Sequence, residues 1–391
     1  MNRRPPLEGV RALDLTRLLP GPLATQHLAD FGAEVIKVED TGAGDYARTM
    51  GAGDAAGSFF YQIVNRNKKS LSLNLKSETG RSIFLRLVES ADVVVEGFRP
   101  GVMDKLGLGY EVLAEHNPAV VLCSITGYGQ TGPYAERAGH DINYIGYAGV
   151  LDQTGRAGQA PALSNLQIGD LLGGTMSAFS GILLALLDAR LHGRGRHVDV
   201  SMSDAVLAHA IFPLTEVLAH GTVRPRGEDL LTGGVPCYGV YRTADDRFMA
   251  VGALEEKFWT LLCDTLDLPE LKPAHLDQGE TGQAARARLE ACFASRTQAE
   301  WVALFDRVDC CVTPVLRTEE SLRDPQFLAR GMVQEVGGVR QIAAPFKMGP
   351  FAAAEATRAP EQGEHGREIL RALGLDESYI DGLLQEGVIR L

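Results

Sequence analysis

The sequence predicts an α/β protein built on a parallel, doubly wound sheet, with a smaller α+β region in its second half. Three observations lead there. Short apolar runs alternate with segments of helical spacing from Val10 to Ser124. After Tyr238 the pattern changes to short strands separated by turns, followed by helices. The chain has 391 residues, more than one compact core accommodates, so two domains are expected.

The elements follow in order. Val10 to Leu15 reads as a buried strand. Pro20-Gly-Pro22 breaks the chain, and Leu23, Leu28 and Phe31 then recur at helical spacing. Pro22 suits the first turn of that helix and Gly32 ends it. Ala33 to Glu39 is the next strand, and Lys69 to Leu75 alternates with period two. Ser77 to Ser90 reads as a helix with Ser77 as N-cap and Phe84, Leu85 and Leu87 facing inward. Ala91 to Glu96 and Ala119 to Ser124 complete the buried strands. Strands separated by helices specify a parallel sheet. Asp170 to Arg190 is a strong helix pattern ended by Gly193-Arg-Gly195, and His197 to Met202 is a strand. The smaller region runs over 228–325, with strands at Tyr238–Tyr241 and Phe248–Gly252 and helices near Lys257–Leu266 and Ala284–Ala294. Two helices with a break at Gly374 occupy Glu364 to Glu386.

Composition narrows the function. Hydrophobic residues make up 45% and charged residues 23%, ordinary for a globular protein. The longest apolar stretch, Met176 to Leu187, falls short of the roughly 20 residues that span a bilayer and reads as a buried helix. Neither a signal core at the N-terminus nor a common address at the C-terminus is evident, so a cytoplasmic enzyme without membrane contact is expected. The net charge of −12 argues against a nucleic-acid partner. Residues 1–100 carry 13 Lys/Arg against 12 Asp/Glu, a net of +1, while the remainder carries 25 against 38, a net of −13. An anionic ligand would therefore draw its cationic contacts from the first hundred residues. The six cysteines show no CxxC spacing and the nine histidines no HExxH, so neither a metal nor a disulfide framework is predicted. The turn Thr16 to Pro22 lacks a G-x-G-x-x-G, which weighs against a nucleotide-dependent redox enzyme.

Two segments carry chemistry. Gly169-Asp170 opens the long apolar helix. As a residue pattern it reads either as an N-cap or as a positioned base or nucleophile beside helix-terminal amides that stabilise an oxyanion. Gly139-His140-Asp141 follows a glycine-rich loop of the kind that hosts active sites, and His140 reads either as a surface histidine or as a proton-transfer group. Arg99 lies at the end of a predicted strand, where parallel sheets bind ligands, and its forked donors suit phosphate. Arg17, Lys37, Arg48, Arg66, Lys68 and Lys69 fall at similar strand-end or loop positions.

Taken together, several segments resemble the family III CoA-transferase (CaiB/BaiF) superfamily over nearly the whole chain. They include Leu13 to Pro22, Gly32 to Glu39, Asn65 to Lys76, Glu96 to Val102, Gly127 to Pro133, Gly193 to Met202 and Asp324 to Met332. The resemblance implies a Rossmann-like large domain formed by both chain ends, 1–227 and 326–391, and a small α+β domain at 228–325. It also implies two chains threaded through each other as an interlocked homodimer. Two activities share that scaffold. In the transferases the aspartate matching Asp170 is a nucleophile that moves CoA between carboxylic acids. In the α-methylacyl-CoA racemases it is one of two acid/base groups, the other being the histidine of a Gly-His-Asp-x-Asn-Tyr motif, present as Gly139 to Tyr144. That motif favours racemisation of 2-methylacyl-CoA thioesters by 1,1-proton transfer, with Glu255 matching the glutamate that pairs with the histidine and Tyr238 a pocket residue. A CoA-transferase is the enzymatic alternative, and a non-catalytic thioester-binding protein the third. CoA is part of the substrate, and no separate cofactor is implied. Arg17, Lys37, Arg48, Lys69 and Arg99 are the candidate contacts for it.

Overall fold

The structure is a computed structural model that describes residues 4–54, 57–349 and 356–391. Met1 to Arg3, at the head of the N-terminal stretch, lie outside the described residues. The chain divides into two compact units, one from 1–148, 166–209 and 328–391, the other from 149–165 and 210–327.

The first unit begins with β1 (Arg11–Asp14), α1 (Pro20–Asp30), β2 (Glu34–Glu39), β3 (Lys68–Leu73), α2 (Glu78–Val88), β4 (Val93–Glu96) and β5 (Val121–Thr126). It continues through α3 (Asp141–Tyr147), a π-helical stretch (Gly169–Met176), α4 (Ser177–His192), β6 (His197–Ser201) and α5 (Met202–His209). The second unit holds α6 (Ile211–His220), β7 (Tyr238–Arg242), β8 (Phe248–Gly252), α7 (Glu256–Thr265), α8 (Glu280–Phe293), α9 (Gln298–Phe305) and β9 (Val312–Pro314). The chain then returns to the first unit with α10 (Gly366–Ala372), α11 (Glu377–Gln385) and β10 (Ile389–Arg390).

The large sheet runs β10-β3-β2-β1-β4-β5-β6. Ala12 registers with Val35 on one side and Val93 on the other, and Val93 with Val121, all parallel. β10 pairs antiparallel with β3, Ile389 opposite Leu73, so the sheet is not wholly parallel as the sequence suggested. Two residues at the chain end, of which Ile389 is buried and Arg390 exposed, were too few to read as a strand.

Successive strand residues point to opposite faces, and both faces are covered. Ala12, Val93, Val95, Val121 and Cys123 pack against α1 and α4 through Leu28, Phe179 and Ile182. Leu13, Ile36, Leu71, Val94 and Leu122 pack against α2, α10 and α11 through Phe84, Leu87, Leu370 and Leu383. Local signals behave as expected: the Ser77 hydroxyl accepts from Gly80 N at 3.0 Å, and Gly193 caps α4 with φ +71°. The run Gly169–His192 is apolar enough by length and composition to cross a membrane, yet Ala178, Phe179, Ile182, Ala185, Leu186 and Ala189 are buried within this unit.

At the strand ends a buried charge network organises the first turn. Lys68 Nζ meets Asp14 Oδ2 at 2.9 Å, and Lys37 Nζ meets Asp45 Oδ2 at 2.8 Å, all four side chains being inaccessible to solvent. Lys37 also donates to the Thr16 carbonyl, and Asp45 accepts from Leu18 N, fixing Leu18 at φ +65°. Burial alone would push Asp14 up, but Lys68 and Lys37 hold its carboxyl well below the usual range.

In the second unit β9-β8-β7 form an antiparallel sheet, Ala250 lying between Val240 and Thr313. One face buries Tyr241 and Met249 against Trp259, Phe293 and Trp301. Residues 149–165 and 210–227 group with this unit, whereas the sequence reading gave them to the large domain. The cause is partly Arg226, which donates to the Asp152 and Gln159 carbonyls and pairs with Asp152 Oδ1 at 2.6 Å. Those bonds join residues 67 and 74 positions apart, beyond the reach of a local pattern.

Candidate active site

The first unit brings three of the chemically marked residues together. His140 caps α3, with its backbone N–H donating to Asn143 Oδ1 at 3.0 Å and its carbonyl accepting from Asn143 N at 2.8 Å. Asp141 starts the helix, and its Oδ1 accepts from the backbone N–H of Asp170 at 3.1 Å. Asp170 is thereby tied to the His140 segment across 29 residues of sequence.

Glycines make the approach possible. A Cβ on Gly169 would lie 2.9 Å from Asp141 Oδ1, so only glycine leaves room for that carboxylate. A Cβ on Gly127 or Gly139 would strike the Tyr144 ring at 2.2 or 2.7 Å. The ring is held between the two, with its hydroxyl donating to the Gly139 carbonyl. The spaced glycines of the loop and of the histidine motif therefore share one cause.

Asp170 is not an N-cap, as its pattern allowed. It lies inside the first turn of a widened π-helical stretch whose cap is Ile168. The widened stretch packs closely on its neighbours: a Cβ on Gly173 would meet the Met202 carbonyl at 2.6 Å, and one on Gly174 would meet Pro20 Cβ at 2.5 Å. Thr175 Oγ1 donates to the Pro20 carbonyl at 2.9 Å, fastening this helix to the turn that the buried charges hold. Such stretches recur at functional sites.

The electrostatics suit proton transfer. Burial pushes the Asp170 carboxyl up to about 6, the Asp141 charge adds to the shift, and His140 opposes it. The amide of Asp170 is occupied by Asp141, which takes that one amide out of the helix-terminal set near Asp170 that the sequence offered for an oxyanion. The amides of Asp141 and Ile142, in the first turn of α3, have no acceptor within their own helix.

The remaining candidates separate. Lys37 is fully buried and committed to Asp45 and Thr16, which removes it from the ligand contacts. Its place in a central strand, not its charge, decides its position. Arg66 and Lys68 are likewise buried against Asp30 and Asp14. Arg48 pairs with Glu39 at 2.7 Å and stacks on Tyr61, Lys69 bridges Glu34 and Glu368, and Arg17 meets Asp40 at 2.9 Å. Arg99 is exposed and lines a cavity of about 190 Å³ with Glu96, Ser124 and His197. Burial pushes the Glu96 carboxyl there up to about 7. Glu255 and Tyr238 belong to the second unit. Glu255 is the exposed N-cap of α7, and Tyr238 lines a broad cavity of about 1360 Å³ floored by Val240, Phe248 and Ala250. Sequence reasoning underrated Asp141, whose part depends on a contact to Asp170 that no local spacing reveals.

Fold and site together define an α/β enzyme scaffold of the CaiB/BaiF kind. A solved CaiB/BaiF family protein from Brucella suis superposes with a TM-score of 0.83 at 30% identity, covering 95% of this chain and 100% of that one. The profile described as CoA-transferase family III matches residues 7–366, and the chain belongs to that family. It is 35% identical to the alpha-methylacyl-CoA racemase of Homo sapiens over 385 residues, 98% of this chain and 97% of that protein. It is also 35% identical to the succinyl-CoA:glutarate CoA-transferase of Mus musculus over 400 residues, 98% of this chain and 90% of that protein.

Proposed function

We propose that the protein racemises 2-methylacyl-CoA thioesters by 1,1-proton transfer at the α-carbon. The observation that carries this reading is the joining of His140 and Asp170 in one cluster, with the Asp170 carboxyl raised to about 6. A carboxyl in that range serves as acceptor or donor near neutral pH, as an imidazole does.

The thioester carbonyl acidifies the α-proton. One of the two groups removes it, the electron pair moves onto the carbonyl oxygen as an enolate, and the other group delivers a proton to the opposite face. The first-turn amides of α3 hold the enolate oxygen, and losing one such donor typically costs about 3–4 kcal/mol of transition-state stabilisation. We assign Glu255 the orientation of His140, Tyr238 the acyl pocket, and Arg17, Arg48, Lys69 and Arg99 the CoA moiety. We further propose that the working form is an interlocked homodimer in the cytoplasm. Ile211, Phe212, Leu214 and Leu218, exposed along α6, support a covered face there.

The transferase reading has its own support in the equal identity to a CoA-transferase. In it, Asp170 attacks the thioester carbonyl and expels CoA, leaving an acyl anhydride. One experiment separates the two. A (2R)-2-methylacyl-CoA is incubated in D2O with no acid acceptor and analysed by mass spectrometry and NMR. Deuterium at C2 with epimerisation is expected, lost in His140→Ala while CoA-ester binding survives. CoA transfer to an added acid without C2 exchange would overturn the proposal in favour of the transferase.

A further inference from the structure

A tyrosine shelf beside the acidic cluster plays no part in the proton transfer. Tyr128 stands edge-on to Tyr144, ring centroids 5.3 Å apart, and edge-on to Tyr147 at 5.6 Å. Tyr134 leans on Tyr147 at 4.8 Å. The near end of this shelf adjoins the reacting groups: burial and the Asp170 charge push the Tyr144 phenol up to about 12. The far end carries Arg137. Its guanidinium lies 4.1 Å over the Tyr134 ring, and its Nη1 donates to the Tyr147 hydroxyl at 2.7 Å.

What marks Arg137 is that tyrosines, not a carboxylate, orient it. Arg11, Arg17, Arg48 and Arg66 each pair with a carboxylate. Among the described residues no carboxylate pairs with Arg137, and it is exposed. Two tyrosines nonetheless hold its fork in a fixed orientation. A pre-oriented guanidinium on aromatic faces, with no counter-ion of its own, suits bidentate recognition of a ligand carboxylate.

The helix sets the distance. Tyr144 and Tyr147 stand three residues apart on α3 and share a face, and His140 is the residue that caps the start of that helix. The rise per residue puts Tyr147 about 10 Å along the axis from His140. Arg137, bonded to Tyr147, therefore stands at the end of an aromatic surface that begins at the reacting groups.

We propose that Arg137 is a specificity-determining residue that selects acyl groups ending in a carboxylate. The thioester end lies at His140 and Asp170, the methylenes cross the exposed Tyr147 ring, and the terminal carboxylate takes the Arg137 fork. This rests on His140 and Asp170 as the reacting site, but not on which of the two reactions they perform.

The test compares 2-methyloctanoyl-CoA with the C1 mono-CoA ester of 2-methyloctanedioic acid. Calorimetry gives the Kd of each, and α-proton exchange gives its KM. Wild-type protein should prefer the carboxylated ester by about tenfold or more, the usual scale of a hydrogen bond to a charged group. Arg137→Gln should bring the two esters to parity, and Arg137→Lys should keep part of the preference. Equal binding of both esters by the wild type would overturn the proposal. So would a preference that Arg137→Gln leaves intact. If neither ester exchanges at C2 but the carboxylated one still binds more tightly through Arg137, the racemisation reading fails and the shelf stands.

Discussion

Asp170 gives a prediction whose sign is fixed by burial. Its carboxyl is raised from an ordinary 3.8 to about 6 in the folded protein. Below about pH 4 it is protonated whether folded or not, and burial then has no charge to penalise. Between the two values the folded state binds more protons, so stability falls as pH rises, and the full penalty is present above about 6. A shift of this size is worth about 3 kcal/mol at 1.36 kcal/mol per pKa unit, and solvent reaching the half-open carboxyl reduces it to about 2 kcal/mol. Asp170→Asn removes the ionisation while keeping the shape. Urea unfolding of both proteins at several pH values, with unchanged m-values, should show the variant gaining about 2 kcal/mol between pH 4 and 7.5 relative to wild type. The same variant should lose α-proton exchange. A stability difference that stays flat across this range would refute the raised carboxyl and, with it, the argument that Asp170 is poised for proton transfer.

Other perturbations test the supporting structure. Gly169→Ala places a methyl group 2.9 Å from Asp141 Oδ1 and should lower turnover by about tenfold or more with little change in the Kd for the CoA ester, measured by kinetics and calorimetry. Lys68→Met strands the Asp14 carboxylate in the core and should cost about 3–5 kcal/mol in urea unfolding. Asp246→Gly relieves a left-handed backbone at φ +61° and should raise stability by about 0.5–1 kcal/mol in thermal or urea melts, the exposed pair with Arg242 counting for little.

Much of the fold was legible because it is local. The Val93–Val95 run, the Ser77 cap and the Gly193 stop each depend on a few neighbouring residues. The site was legible in part, since His140 and Asp170 stand beside glycines that their packing requires. What escaped depends on contacts between distant segments. The close packing of the π-helical stretch depends on Met202 and Pro20, the burial of Lys37 on the strands on either side of β2, and the acceptor role of Asp141 on Gly169 closing on it. The membership of 149–165 and 210–227 in the second unit likewise turns on long-range bonds of Arg226. A basic residue in a strand carries the same letter whether it faces a ligand or the core.

The return of the chain to its first sheet has a consequence for biosynthesis. α10 and α11 cover one face of that sheet, and β10 closes the β3 edge, yet all three lie far downstream of β3 in the chain. Some 160 residues separate the end of β6 from the start of α10. Ile83 precedes α10 by far more, and at roughly 5–20 residues per second Leu71, Leu73 and Ile83 on the nascent chain wait about 15–60 seconds for their cover. Throughout that interval the β3 edge offers unpaired backbone groups to any other strand nearby. The last step in folding the first unit thus waits for residues far downstream, and the interval is a window for chaperone binding and for exchange of strands between nascent neighbours.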